Sequence, residues 1–354
     1  MSSTPTIDNN ITCLILACKE GYQDIAESLV INYEANVNGP DGNGITPLII
    51  AIRYGHFKIV AFLIEKGANV NYECRYSYIM KTALTEASRY GHSKIAAFLI
   101  ENGADVNATS EYGITALVNA IEHNNTEIAK LLIEKGAKIN VTEYRMMNYA
   151  CAWGNLEIVE LLVAKGVDIN YKRKCAYTPL MTASRYGRLE VVQFLIDKGA
   201  NVNYACPNSI SLYHSHMETA LIGATENGHI SVVKFLVEKG ANVNLAMDDG
   251  MTALMWASIS GRLEIFKFLV ENGANINATT TSYLPFFWNT ALTYARQFHK
   301  DSIINENRLK IVKFITDREK KTVTNNFWDC IKRNMPFSYI RIKEEKEKKE
   351  KKDE

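Results

Sequence analysis

The 354-residue chain has little proline, almost no net charge and no long uninterrupted apolar run. Its 7 Pro and 20 Gly are too few for a collagen-like chain, and 47% hydrophobic residues are too many for a disordered one. The 40 basic and 39 acidic residues leave a formal net charge of +1, which gives no broad positive field for nucleic acid. No stretch approaches 18 uncharged apolar residues, and the N-terminus MSSTPTIDNN is polar, so neither a membrane span nor a signal peptide is expected.

The chain also lacks the usual signs of catalysis and of metal binding. Its seven cysteines are odd in number and scattered, which favours reduced thiols in a cytoplasmic protein over a set of disulfides. We expect Cys13 and Cys18 to pack in the protein interior. No Gly-rich phosphate loop or nucleophile elbow is present, so we expect no enzyme activity and no cofactor. His214 and His216, near Glu218, have the right types for metal ligands but no further ligand at a recognisable spacing, so we expect no metal site.

The strongest feature of the sequence is an internal repeat of about 33 residues. The segment EKGANVN at 65–71 returns six times in closely related form, and its glycine stands at 67, 103, 136, 166, 199, 240 and 273. A second glycine series precedes it at 21, 55, 91, 154, 187, 228 and 261, with Asn124 filling the gap between 91 and 154. Two series in register indicate a repeat architecture.

The residue pattern of each repeat predicts two short helices followed by a loop. In the segment 46–71, Thr46 is a helix cap, Gly55 ends the first helix, and Gly67 ends the second with a positive φ. The second helix carries an apolar stripe at Ile59, Val60, Leu63 and Ile64. One helix pair cannot bury both of its faces, so the repeats must stack on one another.

The residues ITPL (45–48), KTAL (81–84), ITAL (114–117), YTPL (177–180), ETAL (218–221), MTAL (251–254) and NTAL (289–292) precede these helix pairs. With them the chain resembles the ankyrin-repeat family, whose unit is a β-turn plus two helices. The resemblance implies an all-α solenoid of about nine repeats with β-turn or hairpin loops, here called fingers. We expect a polar lead at 1–9, the array at 10–317, a C-terminal cap or docking segment at 318–342 and a charged flexible tail at 343–354. The family's histidine after the TPL motif is absent, and Arg145, Met146 and Met147 replace the usual motif in the fifth repeat.

Two sets of residues are candidates for partner binding. The fingers at 72–81, 204–218 and 278–289 are longer than the others and carry aromatic residues, of which we single out Tyr78, Tyr213 and Trp288. In the ankyrin family the two residues before the inter-helix glycine face the concave groove. Here they include Arg53, Tyr54, Arg89, Tyr90, His123, Trp153, Arg185 and Tyr186. The concave row, as we call this second set, is rich in Tyr, Trp and Arg, which favours binding over a purely structural aromatic ladder.

The sequence therefore predicts a non-enzymatic scaffold or adaptor that binds a protein partner through the concave row and the long fingers. We expect a cytoplasmic monomer, in host cytoplasm if the source is an intracellular microbe or virus, with no nucleic-acid partner. One alternative is a sensor of a small, nucleotide-like ligand in the same groove. Another is a host-cell effector or ubiquitin-ligase adaptor that uses the C-terminal segment.

Overall fold

The computed structural model describes residues 9–76, 79–109, 113–140, 144–170, 177–205, 219–247, 249–280, 290–296 and 306–318. For residues 75, 76, 79–81 and 144 it describes the backbone alone. These ranges contain helices arranged in pairs and one short antiparallel hairpin. Tyr78, Tyr213, Trp288 and the segment from 319 onward, all singled out by the sequence, lie outside the described residues.

Each repeat contributes an inner and an outer helix. The inner helices are α1 (Asn9–Glu20), α3 (Pro47–Arg53), α5 (Ala83–Tyr90), α7 (Ala116–Glu122), α9 (Tyr144–Trp153), α11 (Pro179–Arg185), α13 (Ala220–Asn227), α15 (Ala253–Ile259) and α17 (Ala291–Arg296). The outer helices are α2 (Gln23–Asn32), α4 (Phe57–Glu65), α6 (Ser93–Glu101), α8 (Thr126–Glu134), α10 (Leu156–Ala164), α12 (Leu189–Asp197), α14 (Ile230–Glu238), α16 (Leu263–Glu271) and α18 (306–318). Strands β1 (Cys74–Tyr76) and β2 (Ile79–Lys81) pair antiparallel in the finger between the second and third repeats.

The ends of the helices follow from single residues. The inner helices other than α1 and α9 begin behind a threonine whose hydroxyl accepts the N–H three residues on, at Thr46, Thr82, Thr115, Thr178, Thr219, Thr252 and Thr290. Gly55 and Gly67 follow the two helices of the second repeat with φ of 76° and 86°, a region that favours glycine. Glu34, at the stopping position of the first repeat, takes the same region with φ of 50°. The capping and stopping roles expected from the sequence are therefore present.

Stacking of the repeats forms the core. Inner helices α1, α3, α5, α7 and α9, and inner helices α13 and α15, each contact their own outer helix and the inner helix that follows. The apolar stripes are buried between them, with Ile59, Val60 and Leu63 at most 2% exposed. The chain divides into two compact units, Met1–Cys206 and Pro207–Glu354.

The inter-helix glycines also leave room for a side chain of the next repeat. The imidazole of His56 lies over Gly21, where a Cβ would be 2.6 Å from its Cε1, and its Nε2 is 3.1 Å from the carbonyl oxygen of Lys19. His92 lies over Gly55 in the same way. A side chain from one repeat thus satisfies a helix-end carbonyl of the repeat before it.

Asn124 differs from its neighbours, because it has a side chain where the repeats on either side have glycine. Its φ is 58°, and its Oδ1 accepts a 2.9 Å hydrogen bond from Nδ2 of Asn155 in the next repeat. Asn155 also donates to the hydroxyl of Thr126. The larger residue is accommodated because the one that faces it is short and polar.

In five repeats, the asparagine just before the finger bonds to backbone groups of the next repeat. Nδ2 of Asn71 donates to the carbonyl of Gly103 at 2.9 Å, and its Oδ1 accepts the N–H of Asp105 at 2.8 Å. Asn38, Asn107, Asn170 and Asn244 make the same two bonds to the repeats that follow them. The recurrent asparagine of the sequence pattern is therefore a connector between fingers.

Two details differ from the expectation or extend it. The prediction that Cys13 packs is wrong: its side chain is exposed, whereas Cys18 is buried as expected. The equivalent position of the second repeat, Pro47, is buried. At the other end, the buried Arg308 of α18 donates from Nη2 to the carbonyl of Ile259 in the eighth repeat.

Candidate functional site

The concave row occupies equivalent positions at the carboxyl ends of five consecutive inner helices. Tyr54 follows the last residue of α3, Tyr90 ends α5, His123 follows α7, Trp153 ends α9 and Tyr186 follows α11. These helices contact one another in sequence order and all belong to the first compact unit. The four large aromatic side chains are 46–53% exposed, so each keeps about half of its surface available for contact.

Histidines fix the orientation of two of these rings. The Tyr54 ring stacks on His56 with a centroid separation of 6.5 Å and an angle of 12° between planes. Tyr90 stacks on His92 at 6.4 Å and 18°. Each histidine also contacts a carbonyl oxygen of the preceding repeat, so the tyrosines rest on a side chain that is itself held in place.

The three arginines of the row have different environments. Arg53 donates from Nε to Oε2 of Glu86 at 3.0 Å, and its Nη2 lies 3.0 Å from the same oxygen without hydrogen-bond alignment. The Glu86 side chain is only 3% exposed, so this pair neutralises the charge of Arg53. Arg89 is exposed, and its guanidinium carbon lies 6.0 Å from the centroid of the Tyr90 ring, within the range of cation–π attraction.

The remaining members of the row also make structural contacts. Trp153 donates from Nε1 to the carbonyl oxygen of Glu122 at 2.8 Å, and Nδ1 of His123 lies 3.0 Å from the carbonyl oxygen of Asn119. The guanidinium carbon of Arg185 lies 5.9 Å from the ring of Tyr177, which is 40% exposed. The row is therefore a surface of exposed rings whose polar groups are partly anchored to backbone carbonyls.

Glu86 and Tyr177 belong to this surface although the sequence did not single them out. Tyr177 directly precedes the capping Thr178, a position that follows from the repeat alignment. Glu86 lies one repeat period from Arg53 along the chain, and this spacing of opposite charges was the available signal. Tyr78, Tyr213 and Trp288 remain predictions.

The described residues offer little for chemistry at a metal or in a deep pocket. Among them no group of three or more His, Cys, Asp or Glu side chains is placed to hold a metal ion. The recess between the fourth and fifth repeats, lined in part by Asn124, Asn125 and Asn155, encloses almost no volume, whereas typical small-molecule sites enclose roughly 300–1,000 Å³. Within the same ranges, no helix combines the length and apolar character that crossing a membrane requires.

Comparison with known proteins finds ankyrin repeats along most of the chain. A family model described as ankyrin repeats (3 copies) matches residues 2–74, 77–143, 142–206 and 202–280, and one described as ankyrin repeats (many copies) matches 254–314. A solved structure, the human ASB11 ankyrin repeat domain, is similar with a TM-score of 0.55 and 28% identity, over 65% of this chain and 99% of that one.

Curated relatives match over short stretches only. The protein fem-1 homolog CG6966 of Drosophila melanogaster is 39% identical over 71 residues, 18% of this chain and 11% of that protein. The E3 ubiquitin-protein ligase KEG of Arabidopsis thaliana is 39% identical over 64 residues, 18% of this chain and 4% of that protein. A BTB/POZ domain-containing protein 3 of Schizosaccharomyces pombe is 40% identical over 52 residues, 15% and 10% of the two chains. The matched segments therefore cover 11% or less of the length of each of these relatives.

The fold and the family matches agree with the sequence. The predicted resemblance and the predicted helical solenoid are both confirmed, since paired helices recur at the predicted glycines and the family models match residues 2–314 with few gaps. The chain belongs to the ankyrin-repeat family.

Proposed function

We propose that this protein is a scaffold or adaptor that binds a protein partner along the concave row of its first compact unit. The proposal rests on one observation: five consecutive inner helices end in Tyr54, Tyr90, His123, Trp153 and Tyr186, and the four large rings are half exposed. Rings of this size bury much area with few rotatable bonds, which is why Tyr and Trp are enriched at the centres of interfaces.

Preorganisation of the rings supports binding over mere packing. Tyr54 and Tyr90 are stacked on histidines that contact the preceding repeat, so a partner that covers them has little side-chain ordering to bring about. Because Glu86 neutralises Arg53, Arg89 is the better candidate for an acidic group of the partner.

The family and its relatives favour the same class of function. Ankyrin repeats are generally protein–protein interaction modules and are typically not enzymes. One relative is named as a ubiquitin-protein ligase, but the match covers only 4% of it, so an adaptor role in ubiquitin transfer is a second hypothesis that rests on the C-terminal segment. The partner's identity, a cytoplasmic location and a monomeric state are likewise proposals.

The test is affinity capture from lysate of the source cells at about 150 mM salt, a concentration that screens weak surface attraction. The wild-type chain is compared with Tyr54→Ser/Tyr90→Ser/Tyr186→Ser, a triple variant that leaves the Trp153 hydrogen bond intact. Phe57→Ser is the matched control, because Phe57 is a 40% exposed aromatic residue on outer helix α4. Circular dichroism melts establish that all three chains are folded.

A partner that binds the wild type and the control but not the triple variant supports the proposal. Equal capture by all three chains contradicts the proposal and favours the long fingers as the binding site. Loss of a partner only on deletion of residues 322–354 would favour the C-terminal adaptor instead. A thermal shift with a nucleotide, removed by the triple variant in the absence of any protein partner, would favour the small-ligand sensor.

A further inference from the structure

Some asparagines of the chain are followed directly by glycine, a pair that can lose the side-chain amide without an enzyme. They are Asn38, Asn43, Asn102, Asn227 and Asn272. In such a pair the backbone nitrogen of the glycine can attack the asparagine Cγ, because glycine has no Cβ to hinder the approach. The five pairs share this local chemistry and differ in what the asparagine side chain contacts.

In three of the pairs the asparagine stands at the carboxyl end of a helix. Nδ2 of Asn102, Asn227 and Asn272 donates to the carbonyl oxygen four residues earlier, at 2.8–2.9 Å. This bond turns the side chain back along its helix and engages the nitrogen that would have to leave as ammonia. Attack by the glycine nitrogen therefore requires the helix end to open.

The fourth pair is held by the next repeat. Nδ2 of Asn38 donates to the carbonyl oxygen of Gly67 at 3.0 Å, and its Oδ1 accepts the N–H of Asn69 at 2.7 Å. Both ends of the amide are engaged, so Cγ cannot rotate towards the nitrogen of Gly39 without the loss of two hydrogen bonds.

Asn43 is different, because its side chain is exposed and lies in a turn outside any helix. In the part of the chain that the structure describes, its side-chain amide has no hydrogen-bond partner. The N–H of Gly44 donates to the carbonyl oxygen of Asp41 at 2.9 Å, and that bond must open before attack. The glycine N–H is bonded in the four other pairs as well, and an exposed turn opens at a lower cost than a packed helix end.

We propose that Asn43 is a site of spontaneous modification, at which the amide is replaced by a carboxylate. The Gly44 nitrogen gives up its proton and forms a bond to Cγ, the Cγ–Nδ2 bond breaks, and ammonia leaves with a proton from solvent. Water then opens the resulting five-membered imide at either carbonyl carbon. Opening at Cγ gives aspartate, and opening at the backbone carbonyl carbon gives isoaspartate, in which the main chain continues through Cγ. Water is the co-reactant, and nothing is oxidised or reduced.

The aspartate product fits the turn, because the eighth repeat has aspartate at the same position. Asp249 stands three residues before its capping threonine, as Asn43 does, and its Oδ1 accepts the N–H of Met251 at 3.0 Å. The two turns, 41–45 and 247–251, have the same pair of backbone hydrogen bonds, and in both the glycine has a positive φ, of 76° and 80°.

The isoaspartate product does not fit in the same way. It adds a methylene to the main chain between residues 43 and 44, inside the rings that both backbone hydrogen bonds of the turn close. Modification therefore adds one negative charge to the finger before the second repeat, and in the isoaspartate form it also loosens that finger. This chemistry does not depend on a partner of the concave row.

The experiment follows the loss of amide at all five pairs in the same molecule. The full chain is incubated in mildly alkaline buffer, once folded and once unfolded in urea, and peptide mapping by mass spectrometry gives a rate for each asparagine. Isoaspartate is measured independently, by transfer of a labelled methyl group from S-adenosylmethionine with an isoaspartyl methyltransferase. Asn43→Gln is the matched control, since its longer side chain would have to close a less favourable six-membered ring. Asn43→Asp represents the aspartate product.

In the folded chain we expect Asn43 to lose its amide at least tenfold faster than each of the other four asparagines. In urea the five rates should converge, because the contacts that distinguish the pairs are gone. Methyl transfer should be largely lost in Asn43→Gln, and Asn43→Asp should melt at the temperature of the wild type.

Three results would overturn the proposal. One is a folded chain in which Asn43 is no faster than the helix-end asparagines. Another is an advantage of Asn43 that persists undiminished in urea, which would assign the rate to neighbouring residues in the sequence instead of to the fold. The third is methyl transfer to Asn43→Gln at the level of the wild type, which would place the isoaspartate elsewhere.

Discussion

The indole nitrogen of Trp153 donates a 2.8 Å hydrogen bond to the carbonyl oxygen of Glu122, at the end of the preceding inner helix. Between other repeats the same kind of link comes from the residue after the glycine, as His56 does for Lys19 and Arg188 for Ala152. At the junction between the fourth and fifth repeats, the residue in this position is Asn155, which follows Gly154. Its side chain donates to Asn124 instead. The tryptophan therefore provides the link at the one junction of the first unit where the glycine is replaced.

Trp153→Phe should lower the free energy of unfolding by about 1 kcal/mol, because it removes the N–H donor and keeps an aromatic ring. Urea denaturation followed by circular dichroism measures the difference. Tyr186→Phe, at the equivalent position of the next repeat, is the control and should lie within about 0.5 kcal/mol of the wild type. Equal stability of Trp153→Phe and the wild type would mean that the indole serves only as an exposed ring.

Two glycines with nearly the same φ should respond differently to alanine. Gly91 and Gly103 have φ of 78° and 83°, so an alanine at either position costs about 1–2 kcal/mol in backbone strain. A Cβ on Gly91 would also lie 2.7 Å from Oδ1 of Asn125, whereas a Cβ on Gly103 meets no atom within 4 Å. Gly91→Ala should therefore destabilise the chain by at least about 1 kcal/mol more than Gly103→Ala, since Asn125 would lose its bond to the Ser88 carbonyl. Matched thermal melts of the two variants that coincide would contradict this reason for the glycine.

These positions also show which features of the fold could be predicted from the sequence alone. The capping threonines, the glycines with positive φ and the left-handed Asn124 were all predictable, because each depends on local backbone preference. The packing of His56 on Gly21 was not, since it depends on how two repeats stack. The pairing of Arg53 with Glu86 changes the expected role of an arginine of the concave row for the same reason. Cys13 was predicted to pack because it has no partner for a disulfide, and nothing in the sequence indicated that its side chain would be exposed while that of Cys18 is buried.

The asparagines before the fingers should contribute to stability by bonding to the next repeat. Asn71→Ala removes two hydrogen bonds, to Gly103 and Asp105, and should cost about 1–3 kcal/mol, partly offset by water at this exposed site. Asn102→Ala is the control: Asn102 donates to Phe98 within its own helix, so its loss should cost less than about 1 kcal/mol. Hydrogen exchange should also speed up at the Asp105 amide in Asn71→Ala alone. Unchanged exchange there would show that the connector does not hold the next finger.

The ion pair of Arg53 and Glu86 should be strongly coupled. The Arg53 side chain is 21% exposed and that of Glu86 is 3%, so Arg53→Met leaves a largely buried carboxylate and should cost about 2–4 kcal/mol. Arg53→Met/Glu86→Leu removes both charges and should recover most of that loss. A double-mutant cycle from urea denaturation gives the coupling energy, expected at about 1–3 kcal/mol. Additive single effects would mean that the pair contributes no more than an exposed ion pair.

Thiol reactivity should distinguish the first repeat from the core. The thiolate is the reactive form, and burial raises the pKa of the Cys18 thiol to about 12 and that of Cys151 further still. Cys13 is exposed, so at pH 8 iodoacetamide should modify Cys13 well before Cys18 and Cys151, which should react only after unfolding in urea. Peptide mapping by mass spectrometry locates the modification.

The raised pKa values also predict a loss of stability in alkali. Since unfolding restores the ordinary thiol pKa of 9.0, the unfolded chain loses its thiol protons at a lower pH than the folded one, and stability should fall as the pH rises from about 9 towards 12. Cys18→Ala/Cys151→Ala removes both thiols and should show a smaller fall over the same range. If the double variant falls as steeply as the wild type, groups other than the buried thiols govern the alkaline transition.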